Sequence, residues 1–114
     1  MKDCLFCKIV NKEIDSDIVY EDEDVLAFND INPQAPVHVL VVPKKHISSI
    51  IDINKLDKEE RLNLLSAIEK IARQSGLEKD GFRVVTNTGT RAGQSVFHLH
   101  FHILGKRKFD WPPG

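Results

Sequence analysis

Little in this chain is present in excess. It has two cysteines, one methionine, one tryptophan and one tyrosine. Sixteen Lys and Arg face seventeen Asp and Glu, a formal net charge of −1 with both signs scattered along the chain. That balance leaves no basic stripe of the kind that grips duplex nucleic acid, so a nucleic-acid partner is not expected. Long hydrophobic runs are missing too. In the opening stretch MKDCLFCKIVNKEID the apolar residues are broken by Lys8, too short and too charged a run for a signal peptide or a membrane span. The expectation is a cytoplasmic protein without a membrane partner. In a reducing compartment two cysteines are more often free, catalytic or metal-bound than joined in a structural disulfide. No repeat, linker or low-complexity tract divides the sequence.

Apolar residues make up 41% and charged residues 29% of the 114. A chain of this length is one domain, 1–114, that buries about two-thirds of its unfolded surface, enough for a core without disulfide staples. CLFCKIV predicts a short N-terminal helix. Ile18–Tyr20 and Val25–Phe28 read as strands around the acidic turn Glu21–Asp24. DINPQAP is a loop, and VHVLVVPKKH a β-branched strand stopped at Pro43. One long helix follows: Asp57 and Glu60 have capping-box spacing, and Leu64, Leu65, Ile68, Ile71 and Ala72 recur as one apolar face. Gly76 has the position of the residue just past its end, with Leu77 as the hydrophobic contact beyond. GFRVVTNTG and SVFHLHFHILG supply the last two strands, and KRKFDWPPG is a tail. The fold class expected is α+β, an antiparallel five-stranded sheet with one long and one short helix.

Three of the five histidines lie within five residues, at 98, 100 and 102. In a strand such spacing puts all three on one face, repeating every ~7 Å, with Leu99, Phe101 and Ile103 turned to the core. In a helix they would share no face. Partly exposed strand histidines satisfied by hydrogen bonds are the plainest account, but three in register beside a Gly-rich loop are too many for it. A catalytic zinc site is a second account, weakened because no Asp or Glu lies between Asp80 and Asp110. A third is an imidazole nucleophile with neighbouring imidazoles as orienters and proton carriers, chemistry suited to a ring whose ordinary pKa is ~6.5. Upstream, backbone N–H groups of RAGQS can form an anion nest, with the Ser95 hydroxyl as a further donor. This is not a Walker loop: Gln94 stands where lysine would, and a strand follows.

HLHFHIL at 98–104 resembles the signature of the histidine triad (HIT) family. LAFNDINPQAPVHVLVVPKKHI, GQSVFHLHFHILG and the closing WPPG are similar to its Hint branch. The resemblance implies a homodimeric nucleoside phosphoramidase that splits the P–N bond of purine nucleoside 5′-phosphoramidates. It implies that His100 is the nucleophile, that His102 contacts phosphate and handles protons, that His98 helps position His100, and that His38 supports the triad. Asn87, Gly93 and Ser95 would hold the phosphate, Asp30 the ribose hydroxyls, and Phe28 and Ile31 the base. Trp111, in a tail of about 106–114, would reach toward the partner's site. Other outcomes are hydrolysis of dinucleoside polyphosphates or nucleotidyl adducts, or a non-catalytic purine-nucleotide-binding module.

Cys4 and Cys7 form a C-x-x-C pair that reads as two buried apolar cysteines, a redox pair or half of a metal site. The resemblance implies the last: structural zinc held by Cys4, Cys7, His46 and His98, not required for catalysis.

Overall fold

The computed structural model describes residues 3–114. Five strands form one antiparallel sheet: β1 (Ile18–Glu21), β2 (Val25–Asn29), β3 (Val37–Pro43), β4 (Phe82–Val85) and β5 (Phe101–Gly105). Their spatial order is β1-β2-β3-β5-β4. β1 and β2 are joined by a short turn and β2 and β3 by the loop 30–36, and each pair lies side by side, while the long helix carries the chain from β3 to β4. The helices are α1 (Leu5–Val10) and α2 (Lys58–Gln74), and short 3-10 turns cover Ile50–Lys55 and Thr90–Ala92. The 3-10 turn at 50–55 has no counterpart in the apolar periodicity of the sequence.

The middle strands are buried on both faces, which is why β2 and β3 read as unbroken apolar runs. Val25, Ala27, Val39, Val41 and Ile103 pack under Leu64, Ala67, Ile68 and Ile71 of α2. Leu26, Phe28, Leu40 and Val42 turn the other way, against Cys4, Phe6, Cys7 and Ile9 at α1. Helix α2 starts where the capping box predicts: the Asp57 carboxylate accepts from the Glu60 N–H, and the Glu60 side chain accepts from the Asp57 N–H, each at 2.8 Å. It ends in a Schellman turn. Gly76, at φ +70°, donates to Arg73, and Leu77 donates to Ala72. Leu77 then fills the space over Gly105, where an added Cβ would lie 2.5 Å from a Leu77 methyl. Leu65 departs from the predicted apolar face: it is 63% exposed, because the sheet contacts only the stripe through Leu64, Ile68 and Ile71.

The last strand is shorter than SVFHLHFHILG suggests. Regular pairing begins at Phe101, so Ser95–His100 approach the sheet as irregular chain. The alternation of faces nevertheless persists. Leu99 donates its N–H to the Ile47 carbonyl at 2.7 Å and packs beneath α2 with Ile103. Among the described residues no helix is long and apolar enough to cross a membrane.

Candidate active site

The three histidines of 98–102 divide between two clusters. Because β5 has not yet begun at 98, the His98 ring is free to turn away from the other two. It is wholly buried, and its Nε2–H donates to the Pro43 carbonyl at 2.8 Å. That bond leaves Nδ1 as the lone-pair nitrogen, and three heteroatoms surround it. Cys4 Sγ lies at 3.3 Å, Cys7 Sγ at 3.5 Å and His46 Nδ1 at 3.1 Å. Cys7 Sγ is also 3.3 Å from His46 Nδ1. The single accessible row of three imidazoles is therefore corrected to two plus one.

These four donor atoms lie within 4.8 Å of one another. Two imidazoles at ~2.0–2.1 Å and two thiolates at ~2.3 Å from a tetrahedral ion stand roughly 3.3–3.8 Å apart, close to the separations found here. The Pro43 carbonyl supplies the outer hydrogen bond that such a ligating ring uses. Burial and the neighbouring Cys4 sulfur push the Cys7 thiol up to about 11, so a thiolate here needs a cation beside it. The donor set thus fits a closed, structural metal centre. Helix α1 builds half of it: Cys4 caps the helix and accepts the Cys7 N–H at 3.1 Å, which brings the two sulfurs together.

His100 and His102 face a cleft of about 290 Å³. The Nδ1–H of His100 donates to the His98 carbonyl at 2.8 Å, so Nε2 is left as the basic nitrogen of a ring that lines the cleft. The rings of His100 and His102 are 5.1 Å apart. His102 pairs in register with Leu40, which makes His38 its diagonal neighbour on the same face. The two rings meet there, His38 Nε2 to His102 Nδ1, at 2.8 Å. Asp30 Oδ2 is 3.5 Å from the same His38 nitrogen. Burial pulls His38 below the ordinary imidazole range, opposed by Asp30. Burial, then the charges that His100 and His38 could carry, pull His102 down to about 4. Both shifts favour the neutral ring.

Phe28, Asp30, Ile31 and Ser95 join His100 and His102 in the cleft wall. Ile31 is 99% exposed and forms its rim. Asn87, Gly93 and Trp111 lie outside that wall. Gly93 closes the 3-10 turn two residues before Ser95, and Trp111 is 82% exposed in the tail. Gln94, buried and next in the chain after Gly93, accepts the Gly89 N–H and donates to the Ser48 and Val96 carbonyls, which fixes the loop that presents Ser95. Sequence reasoning missed the contribution of α1: Leu5, Phe6 and Ile9 form the apolar side of the cleft with Leu40. Phe6 stands edge-on to His100 at 5.0 Å and to Phe28 at 5.5 Å. The available signal was the Leu5–Ile9 spacing of four, which puts an apolar pair on one side of a helix.

Comparison with known proteins agrees with this arrangement. The family model described as HIT domain matches residues 11–109. An uncharacterized HIT-like protein of Synechococcus elongatus is 48% identical over 99% of this chain and 98% of its own length. The 14 kDa zinc-binding protein of Zea mays is 50% identical over 96% of this chain and 87% of its own. Among solved structures, a HIT family hydrolase from Legionella pneumophila superposes with a TM-score of 0.93 at 49% identity, covering 98% of this chain and 100% of that one.

Proposed function

The chain belongs to the HIT domain family, and from that premise we propose that it is a purine nucleoside phosphoramidase with His100 as nucleophile. The observation that carries this reading is the His100 Nδ1–H held by the His98 carbonyl, which leaves Nε2 basic in a cleft beside His102. The Nε2 lone pair bonds phosphorus while the P–N bond breaks, and the departing amine takes its proton from solvent water in the open cleft. Water then bonds phosphorus, the P–Nε2 bond breaks, and the mononucleotide leaves; the proton that the amine took is returned by this water. Both steps profit from a nucleophile and an N–H donor held in place before the substrate arrives.

The cleft divides by chemistry. Phe28, Ile31 and the α1 residues Leu5, Phe6 and Ile9 offer an apolar slot for a purine. The Asp30 carboxylate suits ribose hydroxyls, and Ser95, with the Asn87 and Gly93 loop, suits the phosphate. Cys4, Cys7, His46 and His98 would hold zinc. A bound ion there supplies no chemistry to the reaction; it would cross-link α1 to the segment carrying His100. A homodimer would cover the unpaired edge of β4, where Phe82 and Val84 are exposed, together with Leu62 and Leu65 of α2. The tail with Trp111 would then lie near the partner's cleft.

The test is incubation with adenosine 5′-phosphoramidate. Release of AMP by the wild type, and its loss by at least about a thousandfold in His100→Ala with AMP binding retained, is the expected result. Tight AMP binding without turnover in the wild type would make the protein a binding module instead.

A further inference from the structure

Two features of the Gln34 loop are unused by the chemistry above. The backbone N–H of Gln34 donates to His38 Nδ1 at 3.0 Å, and the Gln34 carbonyl accepts from Arg107 Nε at 2.8 Å. Arg107 lies in the C-terminal tail, its guanidinium 4.1 Å over the ring of Phe109, and it donates a second bond to the Lys108 carbonyl at 3.0 Å. Arg107 is thus fixed by a stacked ring and two carbonyls, although its side chain is exposed.

The consequence for the histidines follows from valence. A nitrogen that accepts an N–H bond carries no proton. His38 Nδ1 accepts from Gln34, so the neutral ring holds its proton on Nε2. That Nε2–H is 2.8 Å from His102 Nδ1, which must then be an acceptor in turn. His102 is left with its one proton on Nε2. To become an imidazolium, His102 would have to protonate Nδ1, facing a proton already on His38. Relieving that clash requires moving the His38 proton to Nδ1, against the Gln34 N–H. The charged group facing the pair is Asp30, 3.5 Å from His38 Nε2, and the His100 ring closes the other side.

We propose that Arg107 is a positioning residue for the catalytic histidines: it holds the Gln34 backbone, which sets the tautomers of His38 and His102 and makes His102 a neutral N–H donor to the phosphoryl oxygen. This builds on the phosphoramidase reading and narrows the role of His102 from proton carrier to fixed donor. A charge-neutral donor suits the site, because it grips the phosphate without binding a mononucleotide product so tightly that release slows. It also gives the tail a task within its own protomer.

The test reads the protons directly. Nitrogen-15 spectra of the histidine rings at neutral pH are compared for the wild type, Gln34→Ala, Gln34→Pro and Arg107→Met. Gln34→Ala keeps the N–H and should leave both rings as the Nε2–H tautomer, as in the wild type. Gln34→Pro removes the N–H and should give His38 a tautomer mixture; Arg107→Met should move the same resonances part of the way. In Arg107→Met, kcat on the phosphoramidate should fall about tenfold with KM within about twofold. An Nδ1–H or imidazolium signal at His102 in the wild type overturns the proposal. So do Arg107→Met spectra identical to the wild type, a variant whose exposed site keeps it folded even if Gln34→Pro does not fold. Wild-type rings in the stated tautomers and Arg107→Met resonances shifted as described, without phosphoramidate turnover in the wild type, would sink the enzymatic reading while upholding the role of Arg107.

Discussion

His98 and His102 are four residues apart and chemically identical, yet they do opposite things. Burial pulls both rings down to about 4. The difference lies in which nitrogen each keeps free, and what that nitrogen meets. The Pro43 carbonyl holds His98 Nε2 and leaves Nδ1 among two sulfurs and another imidazole, sealed from water. His38 holds His102 Nδ1 and leaves Nε2 as the remaining polar atom of a ring in the cleft wall. One set of donors is packed against itself around a buried ring; the other ring lines an open cleft. A single hydrogen bond to a backbone or side-chain partner therefore decides which nitrogen each ring leaves free, more than burial does. Phe6 stands between the two, with ring contacts to His98 at 6.1 Å and His100 at 5.0 Å.

The harshest way to break this contrast is to empty the closed site. Replacing Cys4 and Cys7 together by serine should remove bound metal and lower the folding free energy by roughly 4 kcal/mol or more, as loss of a structural ion does. Metal analysis and thermal melting measure both. A protein that melts as before, with no metal in the wild type, would reduce this cluster to packing. Next in size is a paired substitution. His98→Asn should strip the metal. His102→Asn should leave metal content unchanged and lower phosphoramidate turnover about a hundredfold, the scale of one lost donor to a developing oxyanion. Equal effects of the two variants on metal content would erase the distinction.

Asp30→Asn probes only the open site. Weaker acceptance from the ribose should cost about tenfold in affinity for AMP and little for 2′-deoxy-AMP, measured by titration calorimetry. The smallest effect expected is on pH. His102 binds a proton less readily folded than unfolded, so its contribution to stability is complete above 6.5 and is lost as pH falls through that value toward 4. His38 shifts in the same direction. The melting temperature should decline over that range, and His102→Gln should flatten the decline. An unchanged slope in the variant would assign the titration elsewhere.

Much of the architecture was legible. The capping box, the Gly76 stop and the β-branched runs act over a few residues, and the structure has them where local chemistry demands. The i, i+2, i+4 spacing of the histidines correctly separated them from Leu99, Phe101 and Ile103. It failed for His98, because alternation says which side of the sheet a ring leaves from and not where the ring turns once regular pairing stops. Leu65 was misjudged for a related reason: a helix buries only the stripe that its sheet can touch. The α1 wall of the cleft showed only as the Leu5–Ile9 spacing, and the Gln34 carbonyl and N–H, being backbone groups, carry no side-chain signature at all.

By itself, the order of residues determined most of the elements, the caps of α2, and the supply of donors: two thiols and five imidazoles. Those follow from short-range geometry and from where apolar groups recur. Only the folded chain decided how the imidazoles were shared out. Cys4, His46 and His98 converge across 94 residues, and His38 reaches His102 across 64. Each proton then settled by hydrogen bonds to Pro43, His98 and Gln34. Such bonds join groups that are distant along the chain, so their energies exist only after the sheet has brought the partners together.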